Sequence, residues 1–288
     1  MCIRDRAAAL FKTALPAVED FSSPRAWAFS LLGLNAYCTL AAGDLFANGI
    51  RKLLADRLMA LFVANQSDDW RWFENVLAYD NARLPHALIQ TGLATNTARY
   101  VETGLTSLRW LMSLQTASSG CFRPVGSKSF GKIRHQPDAF DQQPVEAAAT
   151  ISACLAARRV NGGEEWTQAA MRAFAWFLGE NDLHTALIDP DTGSCSDGLH
   201  PDRSNENKGA ESVLSYLLAL VEIRQFVATA AVVRTKPASK LSSNGNGASS
   251  SRSPPGSIFV PIQILESAEP LSAPGSGQGR RQAVQAGD

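Results

Sequence analysis

Two pairs of carboxylates stand at matched spacing in this chain. Asp141 and Glu146 are five positions apart, as are Glu206 and Glu211. Amides flank both pairs, Gln142 and Gln143 in the first, Asn205 and Asn207 in the second. Two carboxyl groups facing one another across a cleft can perform general acid–base chemistry, one giving a proton and the other taking it. Burial or a neighbouring carboxylate raises the pKa of the group that must stay protonated. Primary amides donate and accept hydrogen bonds at once, which suits hydroxyl groups. The candidate proton-transfer residues are therefore Asp141, Glu146, Glu206 and Glu211. The candidate binding residues are Asp80, Asn81, Arg83, Gln142, Gln143, Asn205 and Asn207, with Trp72 and Phe122 as flat apolar surfaces. Capping competes as a role for Asp80, Asp141 and Glu206, because a carboxylate at a helix start accepts from free backbone amides. Glu146 and Glu211 lie one turn inside apolar segments, where an unpaired charge is costly. Arg83 is expected to be their ion-pair partner.

These residues belong to a phrase that recurs along the chain. It reads Tyr79-Asp80-Asn81-Ala82-Arg83-Leu84-Pro85, then Phe140-Asp141-Gln142-Gln143-Pro144-Val145-Glu146, then, more loosely, Asn205-Glu206-Asn207-Lys208-Gly209-Ala210-Glu211. Asp80 and Asp141 are 61 positions apart, and Asp141 and Glu206 are 65. That period fits one antiparallel helix pair with its loops, and self-similarity of this kind marks a repeat architecture. Each phrase precedes an apolar helix, so entrances that face one way build one polar site.

The elements that position the phrases are helical throughout. Helical spacing predicts seven helices, near residues 24–38, 45–62, 84–91, 97–115, 144–160, 164–180 and 209–226. Pro24 fits a helix start and Asp44 fits a cap. The stretch Cys121-Phe122-Arg123-Pro124-Val125-Gly126 reads as strand-like or irregular, and no strong alternating strand pattern occurs. The third, fifth and seventh helices are small and apolar on nearly every face; residues 147–157 carry no charge. A helix apolar all round is buried on all sides. The fourth carries Arg99, Glu102 and Arg109, and the sixth Glu165, Gln168 and Arg172, so each has a wet face. Alternating inner and outer helices predict a double-layered toroid, all-α in class.

Composition narrows the partners. The 27 basic and 27 acidic residues of the 288 give no net charge, which argues against nucleic acid. No run reads as long enough for a bilayer span, which needs about 20 apolar residues. Cys38, Cys121, Cys154 and Cys195 are widely spaced, and His86, His135, His184 and His200 show no ligand spacing, so neither a metal nor a cofactor is expected. His135 and His200 are weaker proton-shuttle candidates. The thiols fit a cytoplasmic location. Residues 1–6 look like the translation of a sequencing-library end rather than native protein, which places the natural start upstream. Residues 21–234 form the helical domain. From residue 235 the chain turns rich in Ser, Gly and Pro and reads as a disordered tail, with an incidental apolar stretch at Ser257-Ile258-Phe259-Val260-Pro261-Ile262-Gln263-Ile264-Leu265.

The three phrases, together with Trp72-Phe73-Glu74, resemble the six-hairpin glycosidase superfamily over residues 21–226. Within it they resemble the helical region that follows a GT-B glycosyltransferase domain in some bacterial proteins. The resemblance implies a carbohydrate-active toroid acting on an oligosaccharide or glycosyl substrate, hydrolase-like or accessory to an upstream glycosyltransferase. It also implies twelve helices in a complete ring, against about seven here, as a partial, N-terminally truncated toroid would show. Glycosidic chemistry uses the paired carboxyl groups named above, and the aromatic rings would stack on sugar faces. The alternative is a non-catalytic helical scaffold that binds glycan. A sugar epimerase is a weaker reading, since no histidine pair sits at matched repeat positions.

Overall fold

The computed structural model describes residues 3–235. Met1, Cys2 and nearly all of the Ser/Gly/Pro-rich tail, with its apolar stretch, lie outside the described residues. Among the described residues there are eight α-helices and only isolated β-bridges. They are α1 (Ile3–Ala14), α2 (Pro24–Leu40), α3 (Leu45–Asn65), α4 (Arg83–Thr95), α5 (Ala98–Leu114), α6 (Pro144–Asn161), α7 (Glu164–Phe177) and α8 (Ala210–Thr235). The first lies partly within the leader that the sequence reading set aside.

Local chemistry sets most helix ends. Pro24 and Pro144 occupy the first turns of α2 and α6, where no amide donor is needed. Asp44 caps α3 by accepting from the Ala47 amide at 3.0 Å. Helix α4 runs one turn beyond the expected stop at Gly92, because Asn96 adopts the left-handed cap conformation. Gly162 ends α6 the same way. Helix α8 runs well past its expected end at residue 226.

The helices form two layers. Helices α2, α4, α6 and α8 pack side by side as the inner layer, and α3, α5 and α7 lie outside them. Nearly every residue of α6 from Pro144 to Ala157 is buried, as its chargeless sequence requires. Helices α5 and α7 bury one stripe each, including Leu108 and Leu111 on α5 and Trp166, Phe174 and Phe177 on α7. Close approach of α4 and α5 depends on Gly104, where a Cβ would meet Ile89 at 2.6 Å. Short turns (residues 41–44, 96–97 and 162–163) join the helices at one end, and long loops (66–82, 115–143 and 178–209) join them at the other. The N-termini of α4, α6 and α8 therefore share the long-loop end.

Helix α8 departs from one sequence expectation. Its residues Ala210–Ala230 have a mean hydropathy of 1.5 and are long and apolar enough to cross a membrane by length and composition. One side packs on α6, while Leu214, Leu217, Leu218 and Val221 are exposed. Glu211 and Glu222 interrupt the apolar run.

Candidate functional site

The long-loop end carries a cluster of charged and amide groups built from three helix entrances and the start of α2. Asp80 and Asp141, the matched residues of the repeated phrase, both adopt left-handed backbone, with φ of 53° and 60°. That conformation is uncommon for a residue with a side chain and marks a constrained turn. Neither carboxylate caps its helix: the cap positions are Ala82 and Gln143, without side-chain cap bonds. The turn instead releases each aspartate to other partners.

At the first entrance, Asp80 is almost fully buried and pairs with Arg83 (Nε to Oδ1, 3.2 Å). Burial pushes its carboxyl pKa up, against the pull of Arg83 and Arg25 and with the help of nearby Glu211. Asn81 donates from its backbone amide to Glu146 Oε1 at 3.3 Å and from Nδ2 to Oε2 at 3.1 Å. Glu146 is completely enclosed, and burial pushes it up to about 7; the Asn81 bonds oppose that shift and the Asp80 charge adds to it. Asp80 thus lies within electrostatic range of both Glu146 and Glu211, the carboxylates of the next two inner helices.

The sequence-based expectation that Arg83 pairs with Glu146 or Glu211 is therefore not met. Its partner is Asp80, three residues before it, and the cation that acts electrostatically on Glu146 is Arg25. Arg25, in the first turn of α2, donates to Glu74 (2.7 Å), to the Tyr79 carbonyl (2.5 Å) and to Asn81 Oδ1 (3.4 Å). Sequence reasoning passed over it. The available signal was an arginine directly after the opening proline of an otherwise apolar helix.

At the second entrance, His200 bonds Asp141 through Nδ1 and Oδ1 at 2.7 Å, and Lys128 forms an ion pair with Oδ2 at 2.8 Å. These partners, Lys128 first and His200 second, hold the Asp141 carboxyl below its ordinary range. An ionised carboxylate only accepts, so the His200 proton sits on Nδ1 and leaves Nε2 as an acceptor in the neutral ring. The loop carrying His200 is fixed by reciprocal backbone bonds between Gln142 and Leu199, both 3.0 Å. They require Gly198, whose Cβ would lie 1.9 Å from the Gln142 carbonyl oxygen.

Several candidates have structural placements. Trp72 and Phe122 are core residues, with no and 1% exposure, so neither offers a face to a ligand in this structure. Trp72 stacks on Trp110, with ring centroids 5.6 Å apart. Gln142 is buried and saturated: it accepts from Trp176 Nε1 at 2.6 Å and donates to Asp182 and the Ala139 carbonyl, each at 2.7 Å. Gln143 is half-buried at the α6 cap. Glu206 and Asn207 are exposed, and Asn205 shapes its own turn by accepting from the Asn207 amide at 3.0 Å. Asp197 receives the Gly209 amide (2.7 Å) and the Ser212 hydroxyl (2.6 Å) at the start of α8. It takes the role that Glu206 was a candidate for. Asp80, Asn81, Arg83, Glu146 and Glu211 come together; Asp141 joins His200 and Lys128 beside them in sequence; Glu206 stands apart.

No protein-family model matches this chain, and no curated protein does. Solved structures do. The GH76A α-1,6-mannanase from Salegentibacter sp. HEL1_6 aligns with a TM-score of 0.52 at 16% identity, over 73% of this chain and 56% of that one. An inactive variant of that enzyme, with two aspartates changed to alanine and α-1,6-mannotetrose bound, aligns with a TM-score of 0.52 at 14% identity, over 75% and 58%. A second inactive variant, with both changed to asparagine and α-1,6-mannotriose bound, gives 0.50 at 15%, over 70% and 55%. At these identities the likeness speaks for the fold: the chain is an all-α, partial (α/α) toroid that spans little more than half the length of the solved toroids it matches.

Proposed function

We propose that the long-loop end of this toroid is a carbohydrate site of glycoside hydrolase-like character, directed at mannose-containing oligosaccharides. The observation that carries the reading is the convergence of Asp80, Glu146 and Glu211 from three successive inner helices at one end of the fold. Its environments separate the carboxyl groups: burial raises Asp80 and Glu146, while Lys128 and His200 lower Asp141. Groups driven apart in this way suit an acid and a base. Asp141, partly exposed and backed by His200, fits the ionised role, and Glu211 is an exposed carboxylate beside Asp80. Glu146 is enclosed and acts by holding Asn81. The fold match is to an enzyme whose inactive variants were solved with α-1,6-mannotriose and α-1,6-mannotetrose.

A second reading, a glycan-binding module accessory to a glycosyltransferase domain, has its own support. The matched mannanase is inactive when two consecutive aspartates are replaced. The described helix entrances of this chain carry one aspartate followed by an amide, Asp80-Asn81 and Asp141-Gln142. The consecutive pair Asp68-Asp69 is exposed, Asp68 pairing with Arg71. Calorimetry of the full chain with α-1,6-mannotriose and α-1,6-mannotetrose, with product analysis on the same samples, separates the two. Turnover abolished by Asp141→Asn or Glu211→Gln supports the enzyme. Binding without turnover, weakened by the same changes, supports the module. No heat from either oligosaccharide removes both.

A further inference from the structure

A concavity lies between the inner helices, toward the ends of α6 and α8 away from the long loops. It measures about 690 Å³ and is walled by α4, α6 and α8. Its lining includes His86, Ser152, Arg158, Arg159, Glu222 and Phe226. Glu222 is eleven residues into α8 from Glu211, about 16 Å along the axis at 1.5 Å per residue, so this pocket is set apart from the carboxylates at the helix entrances.

Its polar groups are incompletely used. His86 is 6% exposed, and burial drives its pKa down to about 3, so the ring is neutral. Its Nδ1 is buried without a hydrogen-bond partner, which is unusual for a polar atom in a native interior. Arg159 is exposed and forms no hydrogen bond or ion pair among the described residues, although it acts on both His86 and Glu222 electrostatically. Arg158 donates through Nε to Thr167 (2.7 Å) and lies over the Phe226 ring at 5.0 Å. Arg83 reaches His86 and Glu222 electrostatically from the entrance side. Against these cations stands one carboxylate, Glu222, which accepts from the Ser152 hydroxyl at 2.8 Å and whose pKa is raised by burial.

We propose that this pocket binds a small polyhydroxylated anion, a sugar phosphate or a sugar acid. The excess of guanidinium over carboxylate selects an oxyanion, since arginine matches phosphate and carboxylate in planar, paired geometry. The neutral His86 ring, the Ser152 hydroxyl and Glu222 supply acceptors and donors for hydroxyl groups. A cavity of this volume holds a monosaccharide derivative. The inference does not rest on the oligosaccharide reading, because it uses different residues and a different charge.

The test is calorimetry of the full chain with mannose 6-phosphate, glucuronate, free mannose and inorganic phosphate at low and moderate salt. The expected result is one site for the sugar phosphate or the sugar acid, weakened by salt, and at least tenfold tighter than for free mannose or inorganic phosphate. The two charged sugars tell which oxyanion is preferred. Arg159→Gln, an exposed change that leaves the packing intact, should weaken that binding at least tenfold, while Asp141→Asn should leave it unchanged. No heat from either charged sugar, equal affinity for free mannose or inorganic phosphate, or an unaltered Kd in Arg159→Gln overturns the proposal. Loss of sugar-phosphate binding in Asp141→Asn also overturns it, by placing the ligand at the helix entrances.

Discussion

Glu146 receives both nitrogens of Asn81, a residue 65 positions earlier, and in doing so ties the first turn of α6 to the turn that opens α4. The bond is buried on both sides. It holds Asn81 next to the strained backbone of Asp80 and so sets where the Asp80 carboxyl stands. A glutamate that reads from sequence as an acid in waiting is a buried brace between two inner helices.

The brace makes stability depend on pH. Glu146 titrates near 7 in the folded chain against an ordinary 4.5. A raised carboxyl pKa favours the folded state fully below pH 4.5, and that contribution is lost as pH rises through about 7. Above it the enclosed charge costs about 3 kcal/mol, from about 1.4 kcal/mol per pKa unit. Glu146→Gln should therefore gain on the wild type as pH rises from 4.5 to 8, in urea unfolding at each pH. A difference between the two that does not change with pH would show that Glu146 is not titrating in this window.

Arg25 should matter more than Arg83 for stability. Its guanidinium serves Glu74, Tyr79 and Asn81 and is nearly enclosed, whereas Arg83 hydrogen-bonds Asp80 and lies over the Phe29 ring at 5.8 Å. Arg25→Ala should cost about 3–5 kcal/mol, as expected when one partner leaves a buried pair. Arg83→Ala should cost about 1.5–3 kcal/mol, the range for a hydrogen bond to a charged group. Denaturant midpoints in the reverse order would mean that Asp80 depends on Arg83 more than on Arg25.

Gly198 should resist substitution. With φ of 152° and the Gln142 carbonyl 1.9 Å from where a Cβ would sit, Gly198→Ala must move the loop that carries His200. The expected result is a loss of about 1–3 kcal/mol, the usual cost of forcing a side chain into sparsely populated backbone. The His200 ring should lose the 2.7 Å bond to Asp141, visible as a change in its ring nitrogen chemical shifts at a fixed pH. Unchanged His200 ring shifts in a folded variant would show that the loop absorbs the methyl elsewhere.

Asp141 should need its carboxylate rather than its shape. Asp141→Asn keeps the left-handed turn, which asparagine tolerates well, but weakens the pairs with Lys128 and His200. Under the carbohydrate reading, oligosaccharide binding or turnover should fall at least tenfold with melting temperature nearly unchanged. Equal response to α-1,6-mannotriose in the variant and the wild type would remove Asp141 from the site.

The amino-acid sequence alone determined the class of this fold and its orientation. The chargeless stretch at residues 147–157 demanded enclosure on every side, and the wet faces of α5 and α7 demanded an outer layer. The recurrence of the polar phrase at one helix-pair spacing, matched at Asp80, Asp141 and Glu206, put the three helix entrances at one end before any coordinates, because each helix pair returns the chain to the same side; within the third phrase it is Glu211 rather than the exposed Glu206 that acts on Asp80. Helix limits at Asn96 and Gly162 follow from left-handed caps, of which only the glycine is conspicuous in sequence. What tertiary structure decided was partnership. Arg25 meets Glu74 across 49 positions and Asn81 across 56, and His200 meets Asp141 across 59. Such pairs depend on the rotation of one helix against the next and on the path of the long loops, which hydrophobic period does not encode. The same holds for Trp72 and Phe122: their composition suits either a sugar platform or a core, and only the packing of neighbouring layers buried them.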